Sequence, residues 1–262
     1  MAQTAIRYES DGPVAIVTID RPDVANAIDR PTAEALAERC RRFDEDESVS
    51  VAVLTGANET FCAGADLKAM REPGAPRASR VEPEGDGPVG PTRMLTRKPV
   101  IAAVEGHAVA GGLELAAWCD LRVAAEDAVF GVYCRRWGIP LMDGGTVRLA
   151  RLIGHSHALD LILTGRGVSG EEALRIGLAN RLVAPGQARR AAIELAREIA
   201  SRPQAALRSD RQSSYEQWSL SLQEALAGEY RHGMATLETG ELFGGLERYD
   251  AGEWREQAPE DR

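Results

Sequence analysis

The chain has 262 residues, 44% of them hydrophobic, and a formal net charge of −9. That size and composition suit one large soluble domain, or one domain with a small appendage. The acidic balance argues against a nucleic-acid partner, which wants a basic stripe, yet it leaves room for an anionic small ligand met by local positive charge. No run of about 18 apolar residues exists, so no membrane span and no membrane partner are expected.

In chain order, MAQTAIRYESDGP carries acidic residues and no apolar h-region, so it does not read as a signal peptide. PVAIVTID (13 to 20) is a short apolar, β-branched run closed by Asp20, Arg21 and Pro22, and reads as a buried strand. In the next stretch Asp29 can cap a helix, Pro31 fits its first turn, and Leu36, Cys40 and Phe43 share one face. VSVAVLTG (49 to 56) and KPVIAAVEG (98 to 106) are further strands, and CDLRVAAEDAVFG (119 to 131) supplies one or two more. Strands alternating with helices imply an α/β layout with parallel pairing.

From Gly144 the pattern is helical. Ser169 and Glu172 have capping-box spacing, and Gly177 can end that helix. Long helical patterns follow over 186 to 200 and 203 to 227. The polar tail is expected to fray. REPGAPRASRVEPEGDGPVGP (71 to 91) reads as a loop, and long loops in compact domains often serve as binding walls. Cys40, Cys62, Cys119 and Cys134 lack CxxC spacing, so they read as reduced thiols in a cytosolic protein, with no metal site.

Two strand ends carry small residues: FCAGADLKAM (61 to 70) and GHAVAGGLELAAWCD (106 to 120). Gly and Ala let a ligand approach the backbone closely. Amides near Ala65 and Gly111 can then converge on one oxygen, and a helix opening at Gly111 favours negative charge there. Two such donors make an oxyanion hole, the usual device for holding an enolate. The plainer readings are a tight turn with an Asx interaction for AGAD, and close helix packing with Glu114 as a first-turn dipole partner for GGLE.

These blocks, together with RPDVANAID, FG…GIP…GGTVRLARLIG and LTGRGVSGEEALRIGLANRLV, resemble the crotonase, or enoyl-CoA hydratase/isomerase, superfamily over roughly residues 5 to 210. The resemblance implies an α/β fold of repeated ββα turns. Residues 1–200 would form the core with an acyl-CoA site, and 201–262 a C-terminal helical oligomerisation region. It also implies trimers, often paired into hexamers, acyl-CoA thioester substrates, and no cofactor beyond the coenzyme A of the substrate. Ala65 and Gly111 match the oxyanion-hole positions, and Ala63, Ala65, Asp66, Leu67 and Lys68, with Gly111, match the acyl-CoA contacts. Lys68 is either a phosphate or ribose contact or a solvated lysine. Glu114 matches one of the two hydratase glutamates.

A gap-free alignment puts Cys134 where hydratases place the second glutamate. A thiol is a poor substitute, because its reference pKa is near 8.5 and burial raises it. Asp143 is the nearest replacement acid, or else a helix N-cap. Arg135 and Arg136 are expected to pair with acids, Trp137 to pack, and His107 to be structural. The expectation is an enoyl-CoA hydratase-type enzyme that holds a thioester enolate with the Ala65 and Gly111 amides, with Glu114 moving the proton. The alternatives are an acyl-CoA binder with little turnover, or another family reaction such as isomerisation or carbon–carbon bond hydrolysis. An RNA-binding role is disfavoured by the charge.

Overall fold

A computed structural model describes residues 5–71 and 74–252. The chain divides into two compact units, Met1–Ile199 and Ala200–Arg262. In the first, β1 (Ile6–Asp11) and β2 (Val14–Ile19) form an antiparallel pair. β1 reads IRYESD, and this largely exposed edge strand carries little apolar signal. All of β2 is buried, as are nearly all of β3 (Val51–Gly56) and all of β4 (Val100–Val104). Continuous burial is what strands covered on both faces require, and it explains their unbroken apolar runs.

Between β2 and β3 lies α1 (Arg30–Glu45). Asp29 caps it, accepting from Thr32 N at 3.1 Å, Pro31 sits in the first turn, and Leu36, Cys40 and Phe43 are buried. Burying a side chain such as Leu36 or Phe43 contributes about 1.5–3 kcal/mol.

After β4 come β5 (His107–Val109) and α2 (Gly111–Trp118). The segment 119 to 131 makes two strands, β6 (Leu121–Ala125) and β7 (Val129–Gly131). α3 (Gly145–Thr164) is broken at Gly154, whose φ is +74°. β8 (Gly167–Ser169) leads into α4 (Gly170–Arg175), then β9 (Arg181–Val183) and α5 (Ala188–Ala200). Ser169 caps α4 through Glu172 N, but the Glu172 side chain binds Arg166 instead of closing a capping box. The large sheet has the order β1-β2-β3-β4-β6-β9 and is parallel from β2 onward. The small one is β5-β7-β8.

One irregular segment links the two layers. Cys62 N donates to His107 O at 2.8 Å, and Val109 N donates to Cys62 O at 3.1 Å. On its other side Ile28 N donates to Gly64 O and Asp66 N to Ile28 O, each at 2.8 Å. Residues 62 to 66 are thus pinned beside the end of β5, where α2 begins.

The second unit is helical: α6 (Gln204–Glu216), α7 (Leu222–Glu238) and α8 (Glu241–Asp250). The single helical pattern expected over 203 to 227 is broken. Leu220 is extended, and Ser221 restarts the helix in a full capping box with Glu224. The end of the tail, for which fraying is expected, lies outside the described residues. Among the described residues, no helix is long and apolar enough to cross a membrane.

Asp29 does more than cap. Its Oδ2 takes Arg77 Nε at 2.8 Å and lies 3.4 Å from Arg21. Burial pushes its carboxyl up, but the Thr32, Arg77 and Arg21 contacts outweigh this and hold it below the ordinary carboxylate range. Asp29→Ala should lower the unfolding free energy by about 1–3 kcal/mol at pH 7, and Asp29→Asn by less, because Asn still caps. A depressed carboxyl stabilises the fold above its unfolded pKa of about 3.9 and loses that effect as pH falls through the lower folded value. Urea midpoints measured from pH 7 to 3 should show this acid-side loss in the wild type and not in Asp29→Asn.

Candidate active site

The floor of the site is two backbone segments. Ala110 precedes α2 with φ +53° and ψ −125°, a conformation that costs a non-glycine residue about 1–3 kcal/mol. Its amide is tied to Gly131 O at 2.8 Å. This turn brings the Gly111 amide beside the segment 62 to 66. A Cβ placed on Gly64 would lie 2.8 Å from Gly111 N, and one placed on Gly111 would lie 3.6 Å from Ala65 N and 2.8 Å from Val89 Cγ1.

Three neighbouring amides are engaged: Gly64 N with the Cys62 sulfur, Asp66 N with Ile28 O, and Ala110 N with Gly131 O. Among the described residues, the amides of Ala65 and Gly111 have no protein acceptor. Two adjacent free donors beside a cavity can hold one oxygen as negative charge develops on it.

Glu114, in the first turn of α2, is 3% exposed. Its Oε1 accepts from Asp143 N at 2.9 Å and from Gly145 N at 2.8 Å. Burial, and then the Asp143 charge, push its carboxyl up to about 7. That value lets it give or take a proton near neutrality.

Asp143 is not a helix cap. The α3 cap residue is Gly144, with no side-chain cap bond. The Asp143 carboxylate instead accepts from Val89 N at 3.1 Å and from the Thr92 hydroxyl at 2.5 Å. Burial raises it above the ordinary carboxylate range, against the Thr92 and Val89 hydrogen bonds.

Cys134 lies in the 3-10 turn Tyr133–Trp137 and is buried. Burial pushes its thiol up, Arg135 pulls it down, and the Glu114 charge pushes it up again. That coupling sets the thiol within electrostatic reach of Glu114.

Ala65, Gly111, Glu114, Cys134 and Asp143 all line one cavity of about 630 Å³. The expectation that residues 71 to 91 form a wall is met from Gly74 to Val89. Ala63, Asp66, Leu67 and Lys68 line the same cavity. The Asp66 carboxylate is spoken for: it pairs with Arg21 at 3.0 Å and accepts from Lys68 N and Ala69 N, so the Asx-turn reading of AGAD describes it. Leu67 and Lys68 are exposed.

Two expectations, on the arginine pair and on Trp137, need correcting. Arg135 and Arg136 do not pair with acids among the described residues: Arg135 donates to Ile162 O, and Arg136 stacks 3.7 Å from the Tyr133 ring centroid. Trp137 does not pack in a core; it is 67% exposed and lines the cavity. His107 is exposed, and its carbonyl serves the Cys62 amide. Val89, Thr92, Tyr133 and Met142 also shape the site. No sequence pattern marked them, because each reaches the cavity only through the fold.

The profile of the enoyl-CoA hydratase/isomerase family matches residues 9–256. Enoyl-CoA hydratase EchA19 of Mycobacterium tuberculosis is 40% identical over 221 residues, spanning 78% of this chain and 79% of that protein. The short-chain-enoyl-CoA hydratase of Clostridium acetobutylicum is 38% identical, with 84% and 85% covered. The crystal structure of enoyl-CoA hydratase EchA1 from Mycobacterium marinum superposes with a TM-score of 0.89 at 35% identity, covering 95% of this chain and 97% of that one.

The burial pattern predicts thiol reactivity. Cys40 and Cys62 are packed in the core with thiols pushed up to about 12, and Cys119 is buried with them, whereas Cys134 faces the cavity. A small alkylating reagent should label Cys134 first, slowly at pH 7 and faster as pH rises, because the thiolate is the nucleophile. Peptide mapping by mass spectrometry after brief exposure reads this; first labelling of Cys40, Cys62 or Cys119 would contradict it.

Proposed function

Because the chain belongs to the enoyl-CoA hydratase/isomerase family, it is an acyl-CoA-processing enzyme of the hydratase-like lyase type, and we propose how its own residues carry the reaction. The thioester carbonyl oxygen accepts from the amides of Ala65 and Gly111. Glu114 takes a proton from water as the water oxygen bonds to C3 of a 2-trans-enoyl-CoA. The electron pair of the C2–C3 double bond moves toward the thioester, and the enolate oxygen is held at the two amides. Glu114 then returns a proton to C2, so one carboxylate serves both halves in turn. The observation that carries this reading is the pair of amides without protein acceptors beside a carboxyl raised to about 7.

Cys134 favours a second reading within the family. It stands near Glu114 where the resemblance expects a second glutamate, so plain hydration is slow and a different family reaction is native. Positioned acid–base groups contribute about 10²–10⁴-fold each, which is the scale of what one missing carboxylate removes. Asp143 supports Glu114: its charge raises the Glu114 carboxyl, and its backbone amide holds Glu114 Oε1. Lys68, exposed at the cavity, suits a contact to a coenzyme A phosphate. The enzyme works in the cytosol, a placement supported by four free cysteines. It assembles as a homotrimer or dimer of trimers. The support is exposed apolar side chains in the second unit, among them Leu222 at 77%, Tyr230 at 69% and Phe243 at 67%, which favour association. Light scattering at micromolar concentration tests the assembly, and a monomer would overturn it.

Incubation with a panel of acyl-CoAs followed by mass analysis tests the reaction. Crotonyl-CoA hydration should be slow, and Cys134→Glu should raise it with little change in binding. Glu114→Gln should abolish turnover in either background. Wild-type activity should rise with pH through about 7 as Glu114 ionises, and Asp143→Asn should shift that rise to lower pH by removing a nearby negative charge. An unmoved profile would remove Asp143 from this role.

Glu114 also predicts a stability trade-off. Its folded pKa lies above the unfolded value of about 4.3, so its stabilising contribution is complete below that pH and is lost as pH rises through about 7. Glu114→Gln keeps an acceptor for both amides and cannot ionise. The variant should therefore be inactive yet more stable than the wild type at pH 8, by about 1–3 kcal/mol, as read by urea midpoints.

A further inference from the structure

The segment between Cys134 and Asp143 borders the Glu114 end of the cavity. Both residues line it, the Glu114 charge acts on the Cys134 thiol, and the Asp143 charge acts on Glu114. Trp137, Ile139, Pro140 and Met142 lie between them in the chain and line the same cavity, and Val81 joins from the Gly74 to Val89 wall. Residues 137 to 142 read WGIPLM, with no charged or hydroxyl side chain. Val81 is 66% exposed, Trp137 67%, and Pro140 and Met142 are exposed with them. A single exposed apolar side chain is ordinary. Four that line one cavity and also face solvent form an apolar mouth, and such patches mark binding surfaces.

The turn that carries Trp137 is pinned on both sides. Arg135 Nε donates to Ile162 O at 3.1 Å, and Arg136 stacks on the Tyr133 ring. The Gly138 and Ile139 amides both donate to Cys134 O, and Gly138 closes the turn at φ +70°. The indole is thus held mostly in water by bonds on either side of it, and Trp offers a large apolar area to whatever covers it. Continuity names the occupant. The cavity that opens at this mouth also holds Ala65, Gly111 and the Glu114 carboxyl. A chain whose thioester oxygen lies on the two amides, with C3 beside Glu114, runs next onto the surface of residues 137 to 142.

We propose that Trp137 is a specificity-determining residue that packs against the distal part of the acyl group, so that the preferred acyl-CoA carries a hydrocarbon chain well beyond four carbons. The proposal rests on the acyl-CoA reading above and extends it to the class of acyl group. A crotonyl group has one carbon past C3 and ends beside Glu114, before it reaches the mouth. A longer chain covers Trp137, Met142 and Val81 and takes their apolar surface out of water together with its own. Each methylene fully buried in this way raises affinity about fourfold.

The test is calorimetric binding of saturated acyl-CoAs with four, eight and twelve carbons, kept below micelle-forming concentration. It reads the preference without turnover, so loss of the catalytic reading is distinguishable from loss of this one. Wild-type affinity should rise by about tenfold or more from four to eight carbons. Trp137→Ala should weaken the twelve-carbon chain by about tenfold and leave the four-carbon one within about twofold, and Trp137→Phe should keep most of the preference. With the matching 2-enoyl-CoAs, kcat/KM should follow the same order, mainly through KM. The proposal is overturned if wild-type affinity stays flat or falls beyond four carbons. Survival of the full preference in Trp137→Ala overturns it too. So does an equal loss on short and long chains, which would place the indole on the coenzyme A arm that they share. If Trp137→Ala dissociates an assembly that the wild type forms by light scattering, a second copy covers the indole and the proposal fails.

Discussion

One carboxylate oxygen organises the catalytic corner. Glu114 Oε1 accepts the amides of Asp143 and Gly145, joining the first turn of α2 to the start of α3. Gly145 N is one of the first-turn donors that α3 leaves unsatisfied and Asp143 N lies just before the cap residue, so Glu114 completes a helix start that has no side-chain cap of its own. Gly145 must lack a side chain for this contact, since a Cβ there would lie 2.9 Å from Glu114 Oε1. The same two bonds fix the carboxyl at the cavity that the proposed reaction uses. In the proposed mechanism catalytic and structural demands therefore fall on one group, and burial of the carboxyl is the physical cause of its poise near neutrality.

Close backbone approach is the second constraint. A Cβ on Gly112 would come 2.0 Å from Cys62 O, so α2 can lie against the segment 62 to 66 only without one. That approach brings the Ala65 and Gly111 amides to one space. The strained Ala110 is retained because Gly131 O and the start of α2 over-determine it. The pair of free amides that the proposed oxyanion site uses thus emerges from main-chain geometry, with side chains acting mostly by being small.

Charge fastens the wall to this floor. Arg77 ties residue 77 to the α1 cap at Asp29, and Asp143 ties Val89 and Thr92 to the α3 start. Asp29 and Asp143 each unite a helix entrance with one end of the same long segment. Arg148 adds a third link, donating to Asp143 O and Thr92 O. A segment with almost no regular structure is held by these bonds as a defined surface.

Local chemistry legible in the sequence was decided by residues that act on near neighbours. The buried strands announced themselves as apolar runs, and α1 by Asp29, Pro31 and the face of Leu36, Cys40 and Phe43. The small-residue blocks at 61 to 70 and 106 to 120 marked where backbone could meet ligand, and Glu114 stood out within them. What stayed hidden depended on distance in the chain. β1 is polar at a sheet edge, β5, β8 and β9 are three-residue strands that exist only through their pairing, and the break before Ser221 lies inside a helical pattern. Asp143 read as either a replacement acid or a cap, the latter because its sequence neighbours form a helix start, yet its carboxylate meets Val89 and Thr92 from more than fifty residues earlier in the chain. Trp137 looked like core and lines the cavity. Hydrogen-bond partners and burial are properties of tertiary packing, so the sequence determined which groups were present and the fold alone decided which of them face the substrate.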